Sequence, residues 1–198
     1  MRRLSTAQRS DALFGQDTDI DSYYGYSGQP AWMEWKYLGE QDLLSIVQAE
    51  HFPVQWAAPP ADWAFDEAWE KQRVHVVEGR SRLPQYAYSK RVLYIDKEIF
   101  AIPYSDMYDK AGNLWKIWIN DVRFARTPFP EAKTAVYDYE VPFAPAIVMV
   151  DMQLMHATRA SLPSHRFPGE EGWYYNFGDR RDTTPDRFTI AELIEQGH

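Results

Sequence analysis

The chain contains no cysteine, and that single absence removes disulfides, thiolate nucleophiles and cysteine-bound metals together. It is neutral about compartment, since exported and cytoplasmic proteins alike can fold without the residue. Also missing is any apolar run of the roughly 18 residues that a membrane helix needs. The longest apolar stretch, Phe143 to Val150, is interrupted by Pro145 and ends at Asp151. Basic residues are in the minority, with 21 Lys and Arg against 29 Asp and Glu, a net charge of −8 and a pI near 5.1. Arg2-Arg3 and Arg180-Arg181 are pairs with no basic patch around them, which argues against a nucleic-acid partner because phosphate binding needs clustered cations.

Catalytic signatures are missing too. The histidines at 51, 75, 156, 165 and 198 form neither His-x-x-x-His nor His-x-His, so no metal is expected. There is no nucleophile elbow and no phosphate loop; Gly25-Tyr26-Ser27-Gly28 reads as a turn. Asp17, Asp19 and Asp21 alternate as in a calcium loop, but Ser22 and Gly28 stand where that loop requires glycine and an acid. Their carboxylates are expected in solvent, as are those of Asp106 and Asp109 beside a hairpin turn. Nothing selects a carboxylate pair for glycoside hydrolysis, and no catalytic residue and no cofactor is expected.

Aromatic residues are what the chain has in excess: 16% of the total, with eight Trp. Such side chains pack between a sheet and its cover or line an apolar groove. Lys90 to Ile95 alternates polar and apolar residues, Asp96-Lys97-Glu98 supplies a turn, and Ile99 to Tyr108 extends again. Gly112 then offers the positive φ that lets Leu114 to Ile119 return, with Val122 to Ala125 extending it. With Val74 to Glu78 in front, these segments predict a consecutive antiparallel meander.

Trp32 to Leu38 predicts a further strand, with Met33, Trp35 and Tyr37 on its apolar face and a break at Gly39-Glu40. Asp42 to Glu50 reads as a brief helix or irregular segment, and Ile20 to Tyr24 as a short loop or one helical turn. His51 to Trp69 holds Pro53, Pro59 and Pro60 and three Trp, at 56, 63 and 69. It predicts a long loop folded back over the open face of the sheet, with a mobile lid over a ligand groove as the sharper alternative. Thr127 to Pro145 carries four prolines and predicts at most an edge strand. Ile147 to Ala157 predicts one long strand whose two faces are both partly apolar, with His156 a core or groove histidine. Thr189 and Glu192 form a capping box, Phe188 and Leu193 a hydrophobic staple and Gly197 a stop signal. These predict a helix from Ile190 to Gln196, too short to stand alone, whose Ile190, Leu193 and Ile194 must dock on the sheet or on another chain.

Three blocks carry a resemblance: Trp35-Lys36-Tyr37-Leu38-Gly39-Glu40, Tyr88-Ser89-Lys90-Arg91-Val92-Leu93-Tyr94-Ile95-Asp96, and Tyr108-Asp109-Lys110-Ala111-Gly112-Asn113-Leu114-Trp115-Lys116. With Phe14-Gly15-Gln16-Asp17 before them and Phe188-Thr189-Ile190-Ala191 after, the chain resembles the bacterial domain of unknown function 1329 family, itself similar to the lipoprotein-sorting proteins LolA and LolB. The resemblance implies a mainly β fold: an open antiparallel sheet or half-barrel with long Pro- and Trp-rich loops and a short C-terminal helix. It also implies a chain about twice as long with a secretory signal. Because Met1-Arg2-Arg3-Leu4 leads into no apolar core, residues 1–198 are expected to be a single domain forming the C-terminal part of a longer member, with the sheet over about 30–160 and a tail over 161–198. A complete small cytoplasmic protein remains the alternative.

The resemblance further implies a non-enzymatic protein of the periplasm or cell envelope that binds a lipid or other hydrophobic small molecule, beside an export transporter or an outer-membrane partner. The groove candidates are Trp35, Tyr94, Trp115, Trp118, Met152 and His156. The alternative is a carbohydrate-binding or carbohydrate-active protein that uses Trp and Tyr as stacking platforms.

Overall fold

The computed structural model describes residues 16–51, 54–61, 63–127, 137–161, 185 and 189–195. Period-two segments joined by tight turns can only pair with their immediate neighbours, and they do. Strands β1 (Met33–Ser45), β2 (Glu70–Ser81), β3 (Lys90–Asp96), β4 (Tyr104–Tyr108), β5 (Leu114–Ala125), β6 (Val141–Asp151) and β7 (His156–Ser161) form one open seven-stranded antiparallel sheet in sequence order. The expected meander is present, and Gly112 takes φ +88° in its second turn.

Four boundaries differ from the sequence reading. β4 begins at Tyr104 rather than Ile99, because the Asp96 carboxylate accepts the amides of Glu98 (2.8 Å) and Ile99 (3.0 Å) and Phe100 turns to φ +57°. β1 does not break at Gly39. Its register steps from Tyr37↔Val77 to Gly39↔Val76 and continues to Ser45↔Glu70, so Leu38 is the extra residue of a bulge. Gly39 sits there at φ +125°, with nothing within 4 Å of where a Cβ would stand. The cost of a side chain at this position is therefore conformational alone. Gly39→Ala is expected to lower stability by about 1–3 kcal/mol in urea unfolding; unchanged stability would contradict the bulge.

β6 starts at Val141 rather than Ile147, and the added segment, which holds Pro142 and Pro145, is an edge strand, the most those prolines allow. β7 pairs only with Ala146–Asp151, and Pro145 lies in the register shift opposite Val122. Neither proline has to donate to an outer ladder. At its other end β6 stops at Asp151, whose carboxylate accepts the amides of Gln153 (3.0 Å) and Leu154 (2.9 Å). Residues 152–155 thus form a hairpin turn where one continuous strand was expected. The short helix α1 (Ile190–Glu195) is capped as predicted by Thr189, whose hydroxyl accepts the Glu192 amide at 3.2 Å. Ile190 and Ile194 are 77% and 53% exposed on this chain. Phe188, the Leu193 side chain and Gly197 lie outside the described residues.

Each face of the sheet has its own cover. On one, Met33, Met107, Trp118, Ile147 and Met149 are buried beneath Tyr86, Tyr88 and the 3₁₀ segment Ile20–Gly25. On the other, Ala146, Val148 and Val150 are buried beneath Ile46, Ala49, Val54 and Phe65 of the long β1–β2 connection. No helix among the described residues is long and apolar enough to cross a membrane.

Candidate ligand-binding cleft

The β1–β2 connection, residues 46–69, folds back over the sheet as the Pro- and Trp-rich composition predicts; we call it the flap. Its anchor is Phe65, 2% exposed, which pairs with Trp56 as an antiparallel bridge and stacks on its ring at 5.1 Å. The Arg159 guanidinium lies 4.6 Å from the Trp56 ring centroid, holding the flap to β7. At its root the Ala49 amide donates to the Val122 carbonyl (2.8 Å), the Phe124 amide to Val47 (3.1 Å) and the Arg123 guanidinium to Ala49 (2.9 Å). The Glu67 carboxylate accepts the amides of Glu50 and His51, both at 2.9 Å. These bonds tie the two ends of the flap together, the arrangement of a closed Ω-loop.

Between flap and sheet lies a cleft of about 540 Å³. Pro60, Trp63 and Trp69 supply the flap wall with Ala61 and Ala64, Ile119 of β5 the floor, and Met155 of the β6–β7 hairpin the far side. Every one of these residues is apolar, and the Trp69 indole N–H is already committed to the Phe65 carbonyl at 3.3 Å. Side chains of this kind suit an alkyl or aromatic group. Asp121 of β5 is buried, 0% exposed, and neither carboxyl oxygen has a partner among the described residues. Desolvation, with a smaller contribution from the charge of Glu67, pushes its pKa up to about 8.

The six groove candidates do not converge on this cleft. Trp35 and Trp118 project to the opposite face: Trp35 lies over Gly79, and Trp118 is fully buried with its indole N–H donating to the Asn120 side chain at 2.7 Å. Trp115 packs on Tyr88 of that same face and donates to Asp151 at 2.9 Å. Tyr94 lies on the flap face, two strands from Ile119, and donates to Asp106 at 2.8 Å. Met152 packs against the core beneath the flap. His156 does not lie on an apolar face as expected; its side chain is 64% exposed and its Nδ1 sits 2.8 Å from Asp17. Asp106 departs from expectation as well. Desolvation raises its pKa, opposed by the Tyr94 bond, while Asp109 is exposed and held low first by the Asn113 amide. The lining residues themselves were hidden in the loop; three Trp among prolines was the legible signal.

A family profile described as "Protein of unknown function (DUF1329)" matches residues 1–193. The chain belongs to the DUF1329 family. Among solved structures, this DUF1329 chain is similar to an outer-membrane lipoprotein-sorting-like domain from Vibrio parahaemolyticus (TM-score 0.52, 16% identity, covering 79% of this chain and 50% of that one). It is also similar to a DUF1329 family protein from Desulfovibrio piger (TM-score 0.51, 12% identity, 80% and 50%). A LolA superfamily protein from Nitrosomonas europaea aligns with TM-score 0.40 at 14% identity, over 73% of this chain and 48% of that one. The chain spans about half the length of these structures, and the Vibrio and Desulfovibrio likenesses give the open antiparallel fold. A search of curated proteins finds no match.

On the face away from the cleft, the DUF1329 chain buries a polar network that sequence reading placed in solvent. Asp17, Asp19 and Asp21 are 7%, 0% and 4% exposed. Arg91, 0% exposed, donates to the Ser22 hydroxyl at 2.9 Å, to the Tyr86 hydroxyl at 3.1 Å and to Asp19 at 3.5 Å, and lies 4.6 Å from the Tyr88 ring centroid. Tyr88 donates to the other Asp19 oxygen. Burial alone would favour the neutral guanidine, but Tyr86, Asp19 and Tyr88 outweigh it and the pKa rises. Lys116 reaches the Asp17 carbonyl at 2.6 Å. The network fastens the N-terminal segment to β3 and β5. Among the described residues, no group of three or more acidic or histidine side chains is placed to hold a metal ion.

Proposed function

We propose that this protein is a non-enzymatic binding protein of the cell envelope whose flap-covered cleft takes an acyl chain or comparable apolar portion of a lipid or other hydrophobic ligand. The observation that carries this reading is that, among the described residues, only apolar side chains line the cleft, Trp63, Trp69, Ile119 and Met155 among them. Its volume of about 540 Å³ falls within the roughly 300–1,000 Å³ of small-molecule sites. The lipoprotein-sorting description of the Vibrio domain supports a lipid-handling role, and an envelope transporter or outer-membrane protein is the partner such a role requires. The same lining favours an alkyl or aromatic group over a sugar ring, since the described residues offer it apolar side chains.

Met155 offers a clean test because it is 64% exposed and its φ of +52° suits aspartate. Titration with a fluorescent long-chain fatty acid is expected to saturate for the wild type, and Met155→Asp is expected to raise Kd at least about tenfold while stability stays within about 0.5 kcal/mol. Equal affinity in the two proteins would place the ligand elsewhere.

A further inference from the structure

Asp121 stands directly beneath the root of the flap. Its neighbour Val122 accepts the Ala49 amide at 2.8 Å, and Glu67, whose charge reaches Asp121, caps the next two flap amides, those of Glu50 and His51. Both acids are shut from solvent: Asp121 is 0% exposed and so is the Glu67 side chain. The other charged or titratable groups around the root do not neutralise Asp121. Arg123, two residues along β5, donates Nη1 to the Ala49 carbonyl at 2.9 Å, while its buried Nε has no partner among the described residues. His51 directs Nδ1 to Glu67 at 3.2 Å, and Tyr104 of β4 donates to the Leu44 carbonyl at 2.7 Å. On β6 the cross-strand partner of Asp121 is Ala146, which carries no charge. A carboxylate in this position would be desolvated, without a hydrogen-bond partner among the described residues and within reach of the Glu67 charge, three costs that are relieved on protonation or on opening.

We infer that Asp121 and Glu67 form a proton-dependent latch: the flap closes over the cleft when Asp121 carries a proton and opens when it loses it. That the latch also governs ligand uptake and release rests on the ligand-binding reading above; the latch itself does not. The sign follows from linkage. A carboxyl whose closed-state pKa is raised from 3.8 to about 8 gives closing its full support below about pH 4 and loses it as pH climbs towards 8, because the open state ionises first. The opening constant therefore rises about tenfold per pH unit across that window and levels off above it.

Hydrogen exchange of the ligand-free chain, corrected for intrinsic rates, reads this directly. Flap peptides from 46–51 and 63–69 are expected to gain about tenfold in opening per unit between pH 6 and 8, while β2 peptides from 74–79 stay unchanged. Asp121→Asn is expected to remove the dependence. Wild-type flap opening that ignores pH, or a dependence that survives in Asp121→Asn, overturns the latch. Should that variant fail to fold, carbon NMR of the Asp121 carboxyl in the wild type decides: a midpoint near 8 that coincides with flap opening supports the latch, and one in the ordinary carboxylate range overturns it. Fatty-acid binding that fails with the flap still responding to pH removes the ligand reading alone.

Discussion

Arg91→Ala is expected to lower the stability of this protein by about 3–5 kcal/mol, because it strands the Asp19 carboxylate in a dry site. The guanidinium is the only cation bonded to Asp19 among the described residues, and it spans Ser22, Tyr86 and Tyr88 as well. Removing it leaves a buried charge facing hydroxyls and also loses the contact with the Tyr88 ring. The double variant Asp19→Asn with Arg91→Met, which removes both charges and keeps the volume, is expected to recover most of the loss. Urea unfolding of the two variants checks the claim. An Arg91→Ala cost below about 1 kcal/mol, typical of exposed ion pairs, would show that the N-terminal segment is not held by this network.

Phe65→Ala carries the second large effect, and it separates packing from lining. Phe65 does not line the cleft, yet it is the buried anchor of the flap, stacked on Trp56 over Val148 and Val150. Large-to-small changes of this kind cost about 3–5 kcal/mol. Here the loss falls on flap docking, because the ladders that join β2 to β5 do not include it. Far-ultraviolet circular dichroism should keep its sheet signal while fatty-acid affinity falls by at least about tenfold. Affinity equal to that of the wild type would mean that the flap does not form the site.

What was legible in the sequence followed from local rules. The meander came from alternation and from turn chemistry at Asp96 and Gly112, each decided within about ten residues of chain. The departures came from devices that alternation does not encode. Gly39 looked like a strand end because a bulge and a break share the same glycine. Pro142 and Pro145 allowed an edge strand, but that it continues into β6 depends on how far β7 extends beside β6. Asp19 and Arg91 lie 72 positions apart, so no spacing could announce their pairing, and a run of alternating aspartates defaults to solvent. The groove candidates suffered from the same limit. Trp35 and Trp118 were ranked for being aromatic on strands, but which face receives which cover is settled by where the flap docks. The flap was readable as a Pro- and Trp-rich segment, and its role as the wall of a cleft was open in the lid alternative.

The central claim is that an apolar ligand sits between the flap and Ile119 and not against the Trp35 and Trp115 face. A long-chain fatty acid bearing a photoactivatable diazirine at its tail, irradiated in the presence of the protein and mapped by peptide mass spectrometry, locates it. Saturable labelling on residues 60–69, 119 and 155, competed by unlabelled fatty acid and lost in Met155→Asp, is the predicted result. Labelling confined to the peptides that carry Trp35 and Trp115, or labelling that never saturates, would contradict it.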